Sequence, residues 1–465
     1  MWKPVLALVV AYAAIRLLHL WLLSQGLGVE SSSGGDIGAE EPSLLDKLGG
    51  WDGGWYTDLA ANGYPDHLSL LTARDDSTAS LAFPPLYPLL MRGLGLVGMT
   101  PLAAGVLLST LAGVVAVIGV YAVARDLLSR RAAWLAASLW AAGPMTIVLT
   151  MVYSEALFVA LAAWALWFAQ RDWWITAGVL GLLAGLTRTN GLAVGAAIAV
   201  AAGVALYVGR RQLSEGRRGP AVATADEPAV AIGARSVIDE GSESAASVGG
   251  ATADRPTALT DGQSDSAAGA AYADGPARSG WRPVVGACLA VVGVPLWWLY
   301  VAIVGGRIDA WFATQDFFWG SRFDFGASVL ENGWRMLTFD GRFDPMTRFV
   351  YTLSFFAMIT AGALLVALLV RIWRSRPGGG IGSDRAYVWW PVAAYAGVLV
   401  VLAVGSAGFP HSKLRFLIPM FPLLLLPAAR LAGLPRAARI TVLAVFAVAT
   451  GWLGAYMLTV WPYAI

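Results

Sequence analysis

The sequence predicts an all-α, polytopic membrane protein. The chain has 465 residues, of which 57% are hydrophobic and 13% are charged, whereas soluble domains carry about 25% charged residues. Its mean hydropathy is +0.64, and apolar runs long enough to cross a bilayer recur along most of its length. These observations exclude an ordinary soluble domain, and a net charge of +2 gives no indication of a nucleic-acid partner.

About eleven segments have the length and hydropathy of transmembrane helices. They are residues 4–24, 101–124, 132–151, 154–170, 173–189, 190–208, 284–305, 349–371, 387–405, 414–433 and 437–460. No clear small-residue cleavage site follows the first segment, so we expect a retained helix rather than a signal peptide. The segment 82–98 contains three prolines and Arg92, which predicts an interfacial or re-entrant helix that does not cross.

The charges of the connecting segments predict the orientation. Five connectors are basic: residues 124–131, 170–174, 209–218, 371–377 and 429–439. The positive-inside rule assigns them to the cytoplasm. The N-terminus is then cytoplasmic and the C-terminus extracytoplasmic, as expected for a multi-pass protein of the plasma membrane. Two long extracytoplasmic loops remain, residues 25–100 and 306–348, in which we expect short amphipathic helices.

The composition changes between residues 209 and 282, which are rich in Ala, Gly, Ser and acidic residues and lack hydrophobic periodicity. This composition predicts a disordered cytoplasmic linker. The linker separates an N-terminal transmembrane module, residues 1–208, from a C-terminal module, residues 283–465. Chemistry is expected in the first outer loop, residues 25–100, with a contribution from the second, residues 306–348.

The first outer loop contains the stretch GGWDGGWYTDLAANGY, Gly49 to Tyr64. Trp51, Trp55 and Tyr56 recur around Asp52 with helical spacing, which predicts an amphipathic helix at the level of the lipid headgroups. An aspartate before Gly-Gly-Trp is also a favourable helix N-cap. The local pattern therefore fits both a capping carboxylate and a catalytic acid or base, and leaves both readings open.

The segment GFPHSKLRF, residues 408–416, contains His411, Lys413 and Arg415 on the predicted outer side. Basic residues there oppose the positive-inside rule, which requires a compensating function. A lipid-linked phosphate is an anion that such donors bind at the membrane edge. The alternative is a short basic loop whose side is dictated by its neighbouring spans.

Two weaker patterns lie on the same predicted side. The run LTRTNG interrupts two apolar segments, and its Arg188 and Asn190 are predicted to face a pocket, because broken helices at membrane depth line cavities or are buried in protein. A simple turn between helices is the alternative. Glu155 begins an apolar helix, where stabilisation of the helix start competes with a role in the site.

The second outer loop opens with GRIDAWFATQDFFWGSRFDF. Aromatic residues such as Trp319 alternate there with the polar side chains of Gln315 and Arg322. A sugar ring offers apolar CH faces and a rim of hydroxyls, so this mixture suits a carbohydrate. Aromatic residues are equally typical of any membrane interface.

Six motifs in this order, WDGGWYTDLAANGY, AFPPLYPLL, YSEALF, LTRTNG, QDFFWGSR and HSKLRFLIPMFP, carry a family resemblance. The chain resembles the bacterial relatives of PIG-V, the second mannosyltransferase of GPI-anchor synthesis, over most of its length except residues 209–282. The resemblance implies a GT-C fold with its site on the non-cytoplasmic face. It also implies a polyprenyl-phosphate sugar as the donor in place of a nucleotide sugar.

In this family an acidic residue of the first outer loop stands at the reaction centre, and the matching residue here is Asp52. Members typically transfer mannose from a β-linked lipid phosphate to form an α-linkage. Such inversion needs one in-line displacement and no covalent enzyme intermediate. This chemistry does not require a divalent metal, although the acidic first loop is compatible with one. No cofactor is expected.

We therefore predict a membrane mannosyltransferase with Asp52 as general base, acting on a polyprenyl-phosphate sugar and a lipid or glycan acceptor among membrane lipids, without nucleic acid. The predicted ligands of the donor phosphate are His411, Lys413, Arg415 and Arg188. The predicted sugar-binding or acceptor-binding residues are Trp51, Trp55, Tyr56, Glu155, Asn190, Gln315, Trp319 and Arg322. A flippase for a lipid-linked sugar, or a related transferase for another sugar or a protein acceptor, remains as an alternative.

Overall fold

The computed structural model describes residues 2–26, 43–65, 76–217, 280–374 and 386–463. Most of the predicted linker, residues 218–279, lies outside the described ranges. The chain forms two units: Met1–Ala205 with Trp281–Ile465, and Leu206–Gly280. In the smaller unit, the described residues 206–217 continue a helix, and the site lies wholly in the larger unit.

Within the described ranges, seven helices are long and apolar enough to cross a membrane by length and composition. They are α1 (Trp2–Gln25), α6 (Pro101–Leu127), α10 (Gly191–Arg217), α11 (Arg282–Gly305), α14 (Pro345–Arg374), α15 (Ala386–Gly405) and α17 (Arg436–Thr459). Apart from one isolated bridge between Phe323 and Ser406, the regular structure in these ranges is helical. The prediction of an all-α, polytopic membrane protein is confirmed.

The remaining helices are shorter. They are α2 (Leu44–Leu48), α3 (Asp52–Asn62), α4 (Asp76–Ala79), α5 (Leu86–Gly95), α7 (Arg130–Ala141), α8 (Glu155–Ala169), α9 (Trp174–Gly185), α12 (Ala310–Trp319), α13 (Ala327–Leu337) and α16 (Leu425–Ala432). Four 3₁₀ helices cover Ser80–Ala82, Thr146–Leu149, Pro410–Leu417 and Phe421–Leu424. The two outer loops thus contain short helices, as predicted, and α5 occupies the proline-rich segment that was not expected to cross.

The expected count of eleven spans is not confirmed. The helices found at 132–151, 154–170 and 173–189 have 12, 15 and 12 residues, which at about 1.5 Å per residue is shorter than the ~30 Å bilayer core. Helix α7 ends just before Pro144, which has no N–H to donate. The span expected at 414–433 is two segments bent by 68° at a break.

Small residues join the two modules that the linker separates in sequence. A Cβ at Gly293 in α11 would collide with the carbonyl of Leu182 in α9, and one at Gly286 would collide with the carbonyl of Trp174. Close backbone approach through small residues is the usual way in which transmembrane helices pack. Helices α9 and α11 therefore bring the first half of the chain directly against the second.

Two ionisable residues of α1 bind carbonyl groups of neighbouring segments of the bundle. Arg16 donates hydrogen bonds to the carbonyls of Ala141 and Thr146, where α7 ends and its last carbonyls lack helical partners. His19 Nε2 lies 3.1 Å from the carbonyl oxygen of Ala447 in α17. Both side chains are buried, and their roles in the fold explain why α1 carries them.

Candidate active site

Asp52 is the first residue of α3 and does not cap it. The cap position belongs to Trp51, which has φ 58° and ψ −119° and makes no side-chain capping bond. Such a backbone conformation is costly for a non-glycine residue, about 1–3 kcal/mol, and clusters at functional sites. The Asp52 N–H donates to the hydroxyl of Tyr153 at 3.3 Å, which fixes the start of the helix and leaves the carboxylate for other contacts.

Four charged side chains form one connected cluster, which we call the charge cluster. Arg415 Nη1 lies 2.5 Å from Asp52 Oδ2, and Arg415 Nε lies 3.3 Å from Glu155 Oε1. The same Glu155 oxygen lies 2.9 Å from Arg188 Nη1. Two carboxylates and two guanidinium groups cancel in formal charge, which offsets the desolvation that burial imposes on each.

Four separate parts of the chain supply the charge cluster. Asp52 begins α3, Glu155 begins α8, Arg188 lies in the break between α9 and α10, and Arg415 lies in the 3₁₀ helix Pro410–Leu417. Helix starts and breaks leave backbone groups and side chains outside regular helical packing, so side chains there reach across the bundle. The cluster therefore joins both transmembrane modules at one point.

Hydroxyl groups surround the charge cluster. Ser154 Oγ accepts a hydrogen bond from Arg188 Nη1 at 3.0 Å and lies 2.7 Å from the Tyr56 hydroxyl. The guanidinium of Arg415 lies 5.2 Å from the ring centroid of Tyr153, within the range of a cation–π contact. Burial raises the pKa of Tyr56 and, well above its usual value, that of Tyr153, so both phenols stay protonated at neutral pH.

A cavity of about 470 Å³ opens beside the charge cluster. Its polar lining residues include Asp52, Tyr56, Arg188, Asn190, Gln315, Arg322 and Arg415, and its aromatic lining residues include Phe83, Trp298, Trp311, Phe312 and Trp319. Leu192 of α10 and Leu399 and Leu402 of α15 add an apolar wall from membrane-spanning helices. Asp52 is the only carboxylate that lines the cavity among the residues that the structure describes.

Paired backbone segments place the second outer loop against this cavity. The Ala407 N–H donates to the Arg322 carbonyl at 2.7 Å, and the Asp324 N–H donates to the Gly405 carbonyl at 2.8 Å. The loop after α12 is thereby held beside the loop after α15. This pairing brings Gln315, Trp319 and Arg322 to the same cavity as Asp52 and Arg415.

Eight of the predicted site residues line the cavity: Asp52, Tyr56, Arg188, Asn190, Gln315, Trp319, Arg322 and Arg415. The other five, Trp51, Trp55, Glu155, His411 and Lys413, are not among its lining residues. Trp51 is 41% exposed, and Trp55 stacks on Phe83 at a centroid distance of 6.1 Å. Glu155 is 3% exposed and lies behind the two arginines.

Two of the predicted phosphate ligands make other contacts. Lys413 Nζ donates to the carbonyls of Ala403 at 2.8 Å and Ser406 at 2.6 Å, and so satisfies carbonyls at the end of α15 and just beyond it. His411 is buried among aromatic rings, with centroid distances of 5.4 Å to Phe409 and 5.3 Å to Trp461. Of the three basic residues in this segment, Arg415 is the one that lines the cavity.

Most of the aromatic wall was not predicted from the sequence. Phe83 meets Trp319 edge to face at 5.9 Å, and Trp298 packs against Phe312 at 4.9 Å. Trp298 lies inside the apolar run of α11, where a tryptophan is indistinguishable from an interfacial anchor. In the ranges 2–26, 43–65, 76–217, 280–374 and 386–463, no three His, Cys, Asp or Glu residues are grouped so that they could hold a metal ion.

Fold and site together define a helical, multi-span membrane protein with a charged, aromatic-walled cavity. The sequence profile of the dolichyl-phosphate-mannose-protein mannosyltransferase family matches residues 83–222. The matched range includes Glu155 and Arg188 and ends before Arg415. A comparison with curated proteins gives no match.

Solved structures of an oligosaccharyltransferase from Archaeoglobus fulgidus resemble the chain at low identity. The crystal structure with zinc and sulfate is 13% identical with a TM-score of 0.43, over 98% of this chain and 53% of that one. The archaeal oligosaccharyltransferase AglB from the same organism, in complex with an inhibitory peptide and a dolichol-phosphate, is 13% identical with a TM-score of 0.40, over 97% and 56%. The chain thus spans about half the length of these proteins.

Proposed function

We propose that this protein is a membrane glycosyltransferase that transfers mannose from a polyprenyl phosphate to a lipid or glycan acceptor. The observation that carries the proposal is the cavity in which the carboxylate of Asp52 faces the same space as the guanidinium groups of Arg188 and Arg415. The profile match over residues 83–222 supports the same class. We further propose that the GT-C arrangement expected from the sequence underlies the helical bundle.

The lining of the cavity suits a lipid-linked sugar. Binding sites of this kind combine apolar walls with a few polar groups that fix orientation. The rings of Phe83 and Trp319 offer apolar surface for the CH faces of a pyranose ring, and Asn190 and Gln315 offer hydrogen-bonding groups for its hydroxyls. Leu192 and Leu399, which belong to membrane-spanning helices, are the apolar groups that a prenyl chain needs.

In the proposed reaction, the acceptor oxygen attacks the anomeric carbon of the donor, and the bond from that carbon to the phosphate oxygen breaks. The electron pair of that bond leaves with the polyprenyl phosphate, and the proton of the acceptor hydroxyl moves to Asp52. A well-placed general base contributes about 10² to 10⁴-fold. Covalent catalysis in retaining glycosidases uses two carboxyl groups, so a single lining carboxylate favours direct, inverting displacement.

The arginines stabilise the charge that this step creates. Negative charge disappears from Asp52 and appears on the departing phosphate, so the sum over cluster and substrate does not change. Arg415 pairs with Asp52 at 2.5 Å in the structure, and a bound donor phosphate would compete for that guanidinium and release the carboxylate. Fixed positive groups aimed at the developing charge are usually the largest single contribution to catalysis.

The proposal is tested with purified protein in lipid vesicles, supplied with radiolabelled polyprenyl-phosphate mannose and a membrane extract as acceptor. We expect the label to leave the lipid donor. Ala407 lines the cavity, so Ala407→Trp should obstruct it with an indole and abolish transfer, whereas Ala437→Trp, at an exposed position outside it, should not. If the label crosses the vesicle membrane while still attached to polyprenyl phosphate, the protein is a flippase and the proposed enzymatic function is wrong.

We also propose that the cavity faces the extracytoplasmic side of the plasma membrane, with the N-terminus in the cytoplasm. Ser412 lines the cavity, and Cys288 is the single native cysteine. In a Cys288→Ser background, a membrane-impermeant maleimide should label Ser412→Cys in intact cells. Leu434→Cys, exposed in a predicted cytoplasmic connector, should react only after permeabilisation, and the reverse pattern contradicts the orientation.

A further inference from the structure

Glu155 occupies an unusual place in the charge cluster. Its carboxylate is 3% exposed and is not part of the cavity lining, yet one of its oxygens lies 2.9 Å from Arg188 Nη1 and 3.3 Å from Arg415 Nε. A buried carboxylate of this kind cannot touch the substrate without rearrangement. Its contacts are with the two cations that do face the cavity.

We propose that Glu155 is a positioning residue, which holds the guanidinium groups of Arg188 and Arg415 side by side as a clamp for the donor phosphate. The inference rests on the proposed function, because it assigns a phosphate to the space in front of the two arginines. It gives Glu155 a role different from the sugar contact expected from the sequence. Glu155 acts through the arginines and takes no part in proton transfer.

The need for such a residue follows from the elements that carry the arginines. Arg188 lies in a turn between two helices, and Arg415 lies in a 3₁₀ helix, so neither is directed by a regular α-helical surface. Two like charges repel each other, and a shared carboxylate is the simplest way to hold them close. Glu155 is the group that contacts both.

The other partners of the arginines cannot replace Glu155. Asp52, the second anion on Arg415, must be released to accept a proton in the proposed reaction. Ser154, the second partner of Arg188, is neutral and therefore gives no charge balance. Glu155 is also the first residue of α8, where the helix dipole stabilises a carboxylate. The anchor is thus fixed at a helix start while its two arginines reach the cavity.

Positioning and simple charge balance predict opposite results for Glu155→Gln. The substitution removes one negative charge, so the cluster gains net positive charge, and Coulomb attraction alone would tighten the binding of an anion. If Glu155 instead holds the arginines in place, the substitution leaves their side chains disordered in the free protein. Binding then weakens, because part of its free energy is spent on ordering the two arginines. The direction of the change in Kd therefore separates the two roles.

The experiment measures Kd for polyprenyl phosphate with purified wild type, Glu155→Gln, Arg188→Gln and the double variant. We expect Glu155→Gln to weaken binding about tenfold. When Arg188 is already glutamine, only the positioning of Arg415 remains to be lost, so we expect at most about a threefold effect, because coupled residues are not additive. Glu331→Gln is the matched control, since Glu331 pairs with Arg335 at an exposed site on α13, and its Kd should equal that of wild type.

Kd is a property of the folded molecules, so a lower yield of folded variant does not imitate the expected result. Should Glu155→Gln fail to fold, Glu155→Asp takes its place in the same cycle, with weaker binding again expected. Unchanged or tighter binding, or effects that multiply independently, overturns the positioning role. If wild type binds polyprenyl phosphate but transfers no sugar, the proposed function fails and the Kd cycle still tests Glu155; if wild type does not bind it, both fail.

Discussion

Asp52→Asn is expected to lower the turnover rate of sugar transfer by about 10² to 10⁴-fold, the contribution of a general base. Asparagine has the shape of aspartate and keeps an acceptor oxygen for Arg415, but its amide cannot take up the proton of the acceptor hydroxyl. The start of α3 should survive, because its contact with Tyr153 uses the backbone N–H of Asp52. The measurement is initial rate against donor concentration at equal amounts of folded protein.

Donor binding should respond in the opposite way. The substitution removes the ion pair at 2.5 Å that occupies Arg415, so the guanidinium becomes available to the donor phosphate. We therefore expect the donor KM to stay the same or to fall while kcat collapses, which is the pattern of an interaction used only in the transition state. A rise in KM with unchanged kcat would instead assign Asp52 to substrate binding.

Asp58→Asn is the matched control for this experiment. Asp58 lies on the same helix, is exposed, and accepts a hydrogen bond from Asn62 Nδ2 at 2.6 Å. The same chemical change there should leave kcat within about twofold of wild type, because surface substitutions away from special features usually have small effects. Transfer by Asp52→Asn at the rate of Asp58→Asn would exclude Asp52 as the base.

The main parts of the candidate site were predictable where a local pattern opposed a general rule. Asp52 was singled out because a carboxylate lies among interfacial aromatics, and Arg415 because basic residues lie on the predicted outer side. Neither pattern identifies a partner. Asp52 and Arg415 are separated by 363 positions, and no spacing rule applies over that distance, so their ion pair required the fold.

The 3₁₀ geometry of the helix Pro410–Leu417 explains why Arg415 is the one of its three basic residues that lines the cavity. In the sequence, His411, Lys413 and Arg415 form one group of basic residues. A 3₁₀ helix has three residues per turn, so residues spaced by two point in three different directions. Accordingly, His411 packs among rings, Lys413 binds the end of α15, and Arg415 reaches Asp52. The sequence alone does not distinguish this helix from an α-helix or a loop.

Hydropathy similarly identified the apolar segments but not their interruptions. Residues 132–151 are uniformly apolar enough for a span, yet α7 ends at Ala141 and Met145 adopts φ 58°. The carbonyls freed by this break are satisfied by Arg16 of α1, more than a hundred residues away. A break is tolerated within a bundle when distant side chains complete its hydrogen bonds, and a sliding window cannot detect such partners.

Arg415→Lys is expected to lower kcat/KM for transfer by about 10² to 10³-fold, which is the usual cost of losing one group that stabilises transition-state charge. The substitution keeps the positive charge, so the buried carboxylates retain a counter-ion. An ammonium is a compact point charge, however, and cannot reproduce the separate contacts of Nη1 with Asp52 and Nε with Glu155. The clamp should lose its geometry while the fold remains.

Two comparisons make this result specific. Arg335→Lys changes an exposed Arg335–Glu331 pair on α13 and should leave transfer unaffected, since such surface pairs contribute little. A β-mannosyl fluoride donor has no phosphate to neutralise, so Arg415→Lys should reduce transfer from it much less than transfer from polyprenyl-phosphate mannose. Equal losses with both donors would show that Arg415 acts on the acceptor or on Asp52 alone, because a residue that stabilises the leaving phosphate must become less important when that phosphate is absent.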